Sequence, residues 1–181
     1  MIRKSLDRLY LFSGALASLL IAAICLLVCA QVALNLVTRL GVTSVNLTIP
    51  SYADFAGYFL AGASFLSLAY TLTRGGHIRV TILVDRLPIP LRRVFERVAL
   101  AVAGMTSAFA TWYIAALVHE SYRFGDQSPG IVSISLWLPQ SVVLLGMAIL
   151  TIALFDHLTR PAPHNTALFA SGDAIEAVDH D

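Results

Sequence analysis

Arg74-Gly75-Gly76-His77-Ile78-Arg79-Val80 decides how this chain is folded. It is the densest polar island away from the two ends, and it stands between two pairs of long apolar runs. Two pairs of apolar runs joined by a charged turn read as two helical hairpins. The glycines suit a helix C-terminus, where glycine adopts the left-handed conformation at little cost. Arg74 suits the negative end of the helix dipole. His77 and the Ile78-Arg79-Val80 that follows are left open between an interfacial hydrogen bond and a specific partner contact. Gly75-Gly76 is too short to be a nucleotide-binding loop.

The composition supports a membrane setting. The chain is 57% hydrophobic and 13% charged, with a mean hydropathy of +0.77. Soluble domains carry about 25% charged residues. A net charge of +1 provides no basic face for nucleic acid. Cys25 and Cys29 lie four apart on one face of the first apolar run, with no His or carboxylate beside them, so they form no metal site. A regular helical turn does not offer disulfide geometry either.

Upstream of the hinge, Arg3, Lys4 and Arg8 precede an uncharged run from Leu9 to Thr38. A spanning helix needs about 20 apolar residues and a signal-peptide core only about 7–15, so the run reads as an uncleaved anchor. Gln31 and Asn35 near its far end are placed for interfacial water or a neighbouring helix. Ser51 and Asp54 have the spacing of a capping box at the start of the second run. Gly57, Ala61 and Ser64 then form a small-residue stripe, which lets helices approach closely in lipid, within this chain or against a partner.

Downstream, Val80 to Leu87 is apolar but too short to span, and reads as an amphipathic segment lying in the interface. Pro88-Ile89-Pro90 starts the third helix. That helix carries a second small-residue stripe, Ala99, Ala103 and Ser107. Glu120, Arg123 and Asp126 populate a polar loop that ends in the turn Ser128-Pro129-Gly130. Trp137 suits a membrane interface, and Pro139 kinks the fourth helix or marks where its regular part begins.

The expectation is therefore an all-α membrane protein with four transmembrane helices and a short interfacial helix in one loop. The spans fall at about 10–37, 52–73, 94–118 and 133–155 in a membrane domain of residues 1–158, followed by a mobile tail, 159–181. Ten of the twelve Lys and Arg residues lie in the head, the hinge region and the tail, against Arg39 and Arg123 on the other side. The positive-inside rule then puts both termini and the hinge in the cytoplasm.

Chemistry is sparse. No Asp, Glu, Lys, Arg or His lies near the middle of any span, whereas transport paths and proton relays use such groups. His77 and His157 stand on one side and His119 on the other, so no pair of histidines is matched in depth to hold haem. A supporting membrane subunit fits best, without catalytic residues, metal or cofactor. A redox or haem-bearing anchor subunit and a self-contained small transporter are the alternatives.

The hinge resembles the signature of the small membrane subunit of tripartite ATP-independent periplasmic (TRAP) transporters, the DctQ type. In that family an acidic residue opens the second span, as Asp54 does here, and the span leads into the Arg-Gly-Gly-His turn. Ser128-Pro129 and Trp137-Leu138-Pro139 are similar to the family's turn and tryptophan near the fourth span. The likeness runs from about Leu9 to His157. Tyr52, Thr81 and Leu145 depart from common family residues. The resemblance implies a bacterial inner-membrane protein that braces a large polytopic permease subunit. A periplasmic binding protein would deliver an organic acid for sodium-driven uptake. Arg74, Gly75, Gly76, His77, Arg79, Asp54, Gly57 and Ala61 are then candidates for contact with the partner or with membrane lipids. Glu120 and Asp126 are candidates for docking the binding protein.

Overall fold

A computed structural model describes residues 2–40, 48–74 and 88–159, apart from the side chains at 2, 89, 90, 92, 93 and 96. Gly75, Gly76, His77, Arg79, the expected interfacial segment Val80 to Leu87 and the tail lie outside the described residues. Four helices carry the fold: α1 (Ile2–Arg39), α2 (Tyr52–Thr73), α3 (Ile89–Phe124) and α4 (Trp137–Thr159). All four are long and apolar enough to cross a membrane.

The helices outrun the spans expected from hydropathy. α1 has 38 residues and α3 has 36, about 57 and 54 Å at 1.5 Å per residue, against a hydrocarbon core of about 30 Å. Polar residues past the apolar stretch do not interrupt the backbone ladder, so each helix continues until something stops it. α3 stops at Gly125, whose φ of 69° is left-handed and whose N–H bonds back to the Ser121 carbonyl. The Asp126 N–H reaches the same carbonyl at 3.1 Å, closing a Schellman turn. α3 starts from Pro88 with Pro90 in its first turn, where a missing N–H costs nothing.

α4 begins at Trp137, not near 133. Residues 126–136 are held as a loop instead: Ser128 N–H donates to the Ile134 carbonyl at 2.8 Å and Leu136 N–H to the Asp126 carbonyl at 3.0 Å. Pro139 falls in the first turn of α4 and marks its start. The capping box at Ser51 does not form. Ser51 is itself left-handed, at φ 57°, and its side chain makes no cap bond. Its hydroxyl oxygen instead accepts the Val132 N–H at 3.0 Å, so the residue serves a tertiary contact.

In space the order is α1, α2, α4, α3. α1 packs on α2, α2 on α4 and α4 on α3, with a slight contact between α1 and α4. α1 meets α2 antiparallel: Ser13 Oγ donates to the Leu66 carbonyl, and Gly14 faces the Tyr70 ring. α2 and α4 run parallel, with Gly62 against Val142 and Gly146 against the Phe65–Leu66 backbone. α3 meets α4 antiparallel, with Gly104 against Phe155 and Tyr122 edge-on to Trp137 at 5.6 Å. The start of α1, Arg74, the start of α3 and the end of α4 therefore share one end of the row.

Packing follows the rule for helices in lipid, where close approach and polar contact replace the hydrophobic drive. Glycines sit at the crossings. Hydroxyls join α3 to α4, with Ser107 Oγ and Thr151 Oγ1 at 2.8 Å and Thr111 Oγ1 and Thr151 Oγ1 at 3.1 Å. The core lies where α1, α2 and α4 meet, around Tyr10, Ala17, Leu66, Ala69, Ile149 and Ala153. The two flanks are exposed. Leu19, Leu26 and Leu36 on α1, and Val98, Phe109 and Trp112 on α3, face away from the rest of the chain.

Candidate functional site

The charged candidates among the described residues divide between the two ends of the row. Asp54 lies in the first turn of α2 and Arg74 caps its last turn, about 30 Å away. The Asp54 end is the more built of the two. There the loop after α3 folds back on the start of α2. Tyr58 donates its hydroxyl to Ser128 Oγ at 2.7 Å, and Ser128 Oγ also accepts the Gly130 N–H at 3.4 Å. With Ser51 holding Val132, these bonds pin the turn Ser128-Pro129-Gly130 onto α2.

Gly130 lies so close to Asp54 that a Cβ there would collide with Oδ2 and would stand 2.6 Å from Ser51 Oγ. Asp54 is half-buried beneath the turn. Its negative charge complements the positive end of the α2 dipole. The acidic residue at the start of the second span and the Ser-Pro turn before the fourth, far apart in sequence, are thus one structure. Glu120 and Asp126 stand at the same end and are exposed. The Asp126 backbone is used in the turn, which leaves its carboxylate outside.

At the other end, Arg74 lies over the Tyr70 ring, 5.4 Å from its centroid, a cation–π contact. Arg74, Thr73 and Tyr70 line a shallow cleft together with Asp7, Tyr10 and Leu11 of α1. The cleft therefore presents one acid and one base.

The small-residue stripe on α2 faces out. A Cβ on Gly57 would meet nothing within 4 Å, Ala61 is half-buried and Ser64 is exposed. The opposite face of α2, with Gly62, Ala63 and Leu66, does the packing inside the chain. On α3, Ala99 and Ala103 are likewise exposed, and of that stripe only Ser107 is buried, against Thr151. Gln31 is buried and ties two segments: its Oε1 accepts the Ile49 N–H at 2.9 Å while its Nε2 donates to Asn35 at 3.1 Å. Cys25 and Cys29 are free and exposed on α1. Among the described residues no three His, Cys, Asp or Glu side chains are grouped to hold a metal ion.

Tyr58 and the Ser107–Thr111–Thr151 cluster are contacts that the sequence did not single out. Tyr58 carried one usable signal, its position four residues after Asp54 on the same helical face.

No curated protein and no solved structure matches the chain. A family model does match, that of the DctQ component of tripartite ATP-independent periplasmic transporters, over residues 24–164. That range takes in α2, α3, α4 and the docked turn, and most of the chain's length. The chain therefore belongs to the DctQ family and is a small permease component of a TRAP transporter, a multi-pass membrane protein of a transporter family and not of an enzyme family.

Proposed function

We infer that this chain braces the large polytopic permease subunit of a sodium-driven TRAP transporter for organic acids. The observation that carries this reading is where the polar chemistry sits. Asp54, Glu120 and Asp126 stand at one end of the helices and Asp7, Arg8, Arg74 and Arg97 toward the other, and between them the packed interior of the described residues holds hydroxyls and the Gln140 amide but no charged side chain. Moving an ion or an organic anion through such an interior would leave the charge without partners, at a cost of several kcal/mol. A rigid row of helices with apolar flanks is suited to extending a scaffold against which another subunit moves.

The residues then divide by side. Both termini and the Arg74–Val80 hinge lie in the cytoplasm of a bacterial cell, by the excess of Lys and Arg there. Arg74, Gly75, Gly76, His77 and Arg79 anchor the brace to the partner or to lipid headgroups. Gly57 and Ala61 offer a face on which a partner helix can lie close. Glu120 and Asp126, beside the docked turn, meet the periplasmic binding protein.

The deciding experiment is reconstitution of sodium-driven uptake with and without this chain. Co-purification with a large polytopic subunit, and uptake only when both are present, is the expected result. Uptake by this chain alone would overturn the reading. At residue level, His77→Ala with Arg79→Ala should impair assembly or uptake. Charge reversal at Glu120 and Asp126 should weaken binding-protein docking while leaving assembly intact.

A further inference from the structure

α1 is apolar over a greater length than a bilayer is thick. Leu20 of α1 packs beside Gly62 of the antiparallel α2. Counted from that contact, Arg8 stands level with Arg74 and Val28 level with Asp54. Between Asp54 and Arg74, α2 has nineteen uncharged residues, about 28 Å, close to the hydrocarbon thickness. α1 has thirty, Leu9 to Thr38, about 45 Å. Fitting 45 Å into a core of about 30 Å would take a tilt of about 48°, beyond the range of membrane helices. It would also draw both charged ends of the adjoining α2 into hydrocarbon. The last turns of α1 therefore rise clear of the bilayer. Val32 and Leu36 stand about 6 and 12 Å beyond Asp54, and both are exposed. Leu36 is past the headgroup layer, which is about 5–8 Å deep.

These two residues end a continuous face. Tyr10, Ala17 and Gln31, separated by multiples of seven, are buried on the inner side of α1. On the outer side, Ala15, Ser18, Ala22, Cys25 and Cys29 follow at alternating steps of three and four, and all are exposed. Val32 and Leu36 continue the same spacing. Leu19 and Leu26 stand along one edge of this line and Ile21 and Val28 along the other, all exposed. The small residues thus form a groove between ridges of large ones. Alternating steps of three and four make the seam along which two helices interlock, and small residues let them lie close in lipid.

Resting on the bracing role of this chain, we propose that the groove seats one transmembrane helix of the large permease subunit, a helix that runs on past the bilayer to cover Val32 and Leu36. Lipid does not reach Leu36, and a soluble protein outside the membrane does not reach Ala15 to Cys25. A second copy of α1 would set like charges together. The seam carries Lys4 and Arg8 at one end and Arg39 at the other, and α1 has no acidic residue after Asp7, which lines the Arg74 cleft. A parallel copy would face Arg39 with its twin, and an antiparallel copy would face it with Lys4 and Arg8. Like-charge juxtaposition opposes both. The occupant is an apolar helix with an acidic group where it meets Arg39. This surface is separate from the Gly57–Ala61 face of α2.

Photocrosslinking tests this in the full-length chain co-expressed with its large permease subunit in bacterial membranes. A benzophenone amino acid takes the place of Ala22, within the bilayer, or of Leu36, beyond it. Each position should give an adduct with the combined mass of this chain and the large subunit. An intact complex that lacks the adduct at either position would overturn the proposal and leave the bracing role standing. An adduct of twice this chain's mass, or one joining Leu36 to the periplasmic binding protein, would overturn it as well. Failure of the two subunits to co-purify would overturn the bracing role itself, and the proposal with it. A double substitution gives a second readout. Ala22→Phe with Leu36→Glu fills the groove and charges its outer end, and both side chains point away from the rest of the chain. The isolated variant should keep its unfolding midpoint and lose co-purification with the large subunit. Undiminished co-purification would overturn the proposal.

Discussion

Gly146 of α4 lies against the backbone of Phe65 on α2, so close that a Cβ there would stand 2.6 Å from the Phe65 carbonyl carbon. The obstruction is main chain, which cannot swing aside as a side chain can. Gly146→Ala should therefore force α2 and α4 apart and cost about 1–3 kcal/mol, the usual range for overpacking. Unfolding of the purified protein in detergent, followed by the fluorescence of Trp137 near the top of α4, measures it. An unchanged midpoint would show that the crossing has slack.

Gly57 is the internal control and a test of the partner face. A Cβ there meets nothing within the chain. Gly57→Ala should leave the isolated protein unharmed, or more stable by about 0.5–1 kcal/mol because alanine favours the helix. Gly57→Leu should also leave the isolated chain folded. If the stripe receives a partner helix, the leucine variant loses co-purification with the large subunit while the isolated chain keeps its unfolding midpoint.

The existence of four helices was legible because uncharged runs of this length have little alternative in a membrane. Boundaries were less legible. Hydropathy marks where lipid ends, but α1 and α3 continue past it; α2 keeps to Tyr52–Thr73 and the prolines announced the start of α3, whereas the stop at Gly125 was not read from the sequence. The small-residue stripe on α2 was open in the sequence between packing within the chain and contact with a partner, and the chain's own packing uses the opposite face. Gly57, Ala61 and Ser64 repeat as a packing face should, yet Gly62, Gly146 and Gly14, single glycines without a repeat, make the crossings. Spacing along one helix cannot tell which face its neighbour takes. Ser51 shows the same limit. Its spacing to Asp54 suggested a local cap, but the Val132 N–H, eighty-one residues away, took the hydroxyl oxygen. Asp54 and the Ser128-Pro129 turn were both visible in the sequence, and only the fold shows that they touch.

Thr151 joins α4 to both Ser107 and Thr111 of α3. α3 packs on α4 alone among the described helices that make substantial contact, so these hydroxyls hold a flank with few other ties. Thr151→Val keeps the volume and removes both bonds. Interhelical hydrogen bonds in membranes are worth about 0.6 kcal/mol on average and up to about 1.7, so a loss of about 0.5–2 kcal/mol is expected. The loss should appear as faster amide exchange in α3 than in α2. Equal acceleration in both helices would mean that the hydroxyls do not specifically hold α3.

Gly130 and Asp54 should behave as a coupled pair. Gly130→Ala places a methyl group against the Asp54 carboxylate and Ser51 Oγ. Both are side-chain ends, so they yield more easily than the backbone at Gly146, but moving them disturbs the Ser51 contact with Val132. The single substitution should loosen the turn, seen as faster amide exchange at Ser128 and Val132, and weaken the fold by about 1 kcal/mol. Asp54→Ala makes room for the methyl group, so Gly130→Ala should cost clearly less in that background. A double-mutant cycle measures the difference, and a coupling of about 0.5 kcal/mol or more is expected for residues in direct contact. Additive effects would show that the turn rests on Tyr58 and Ser51 without Asp54. Tyr58→Phe distinguishes that case, because removing the hydroxyl that meets Ser128 should loosen the turn whatever stands at position 54.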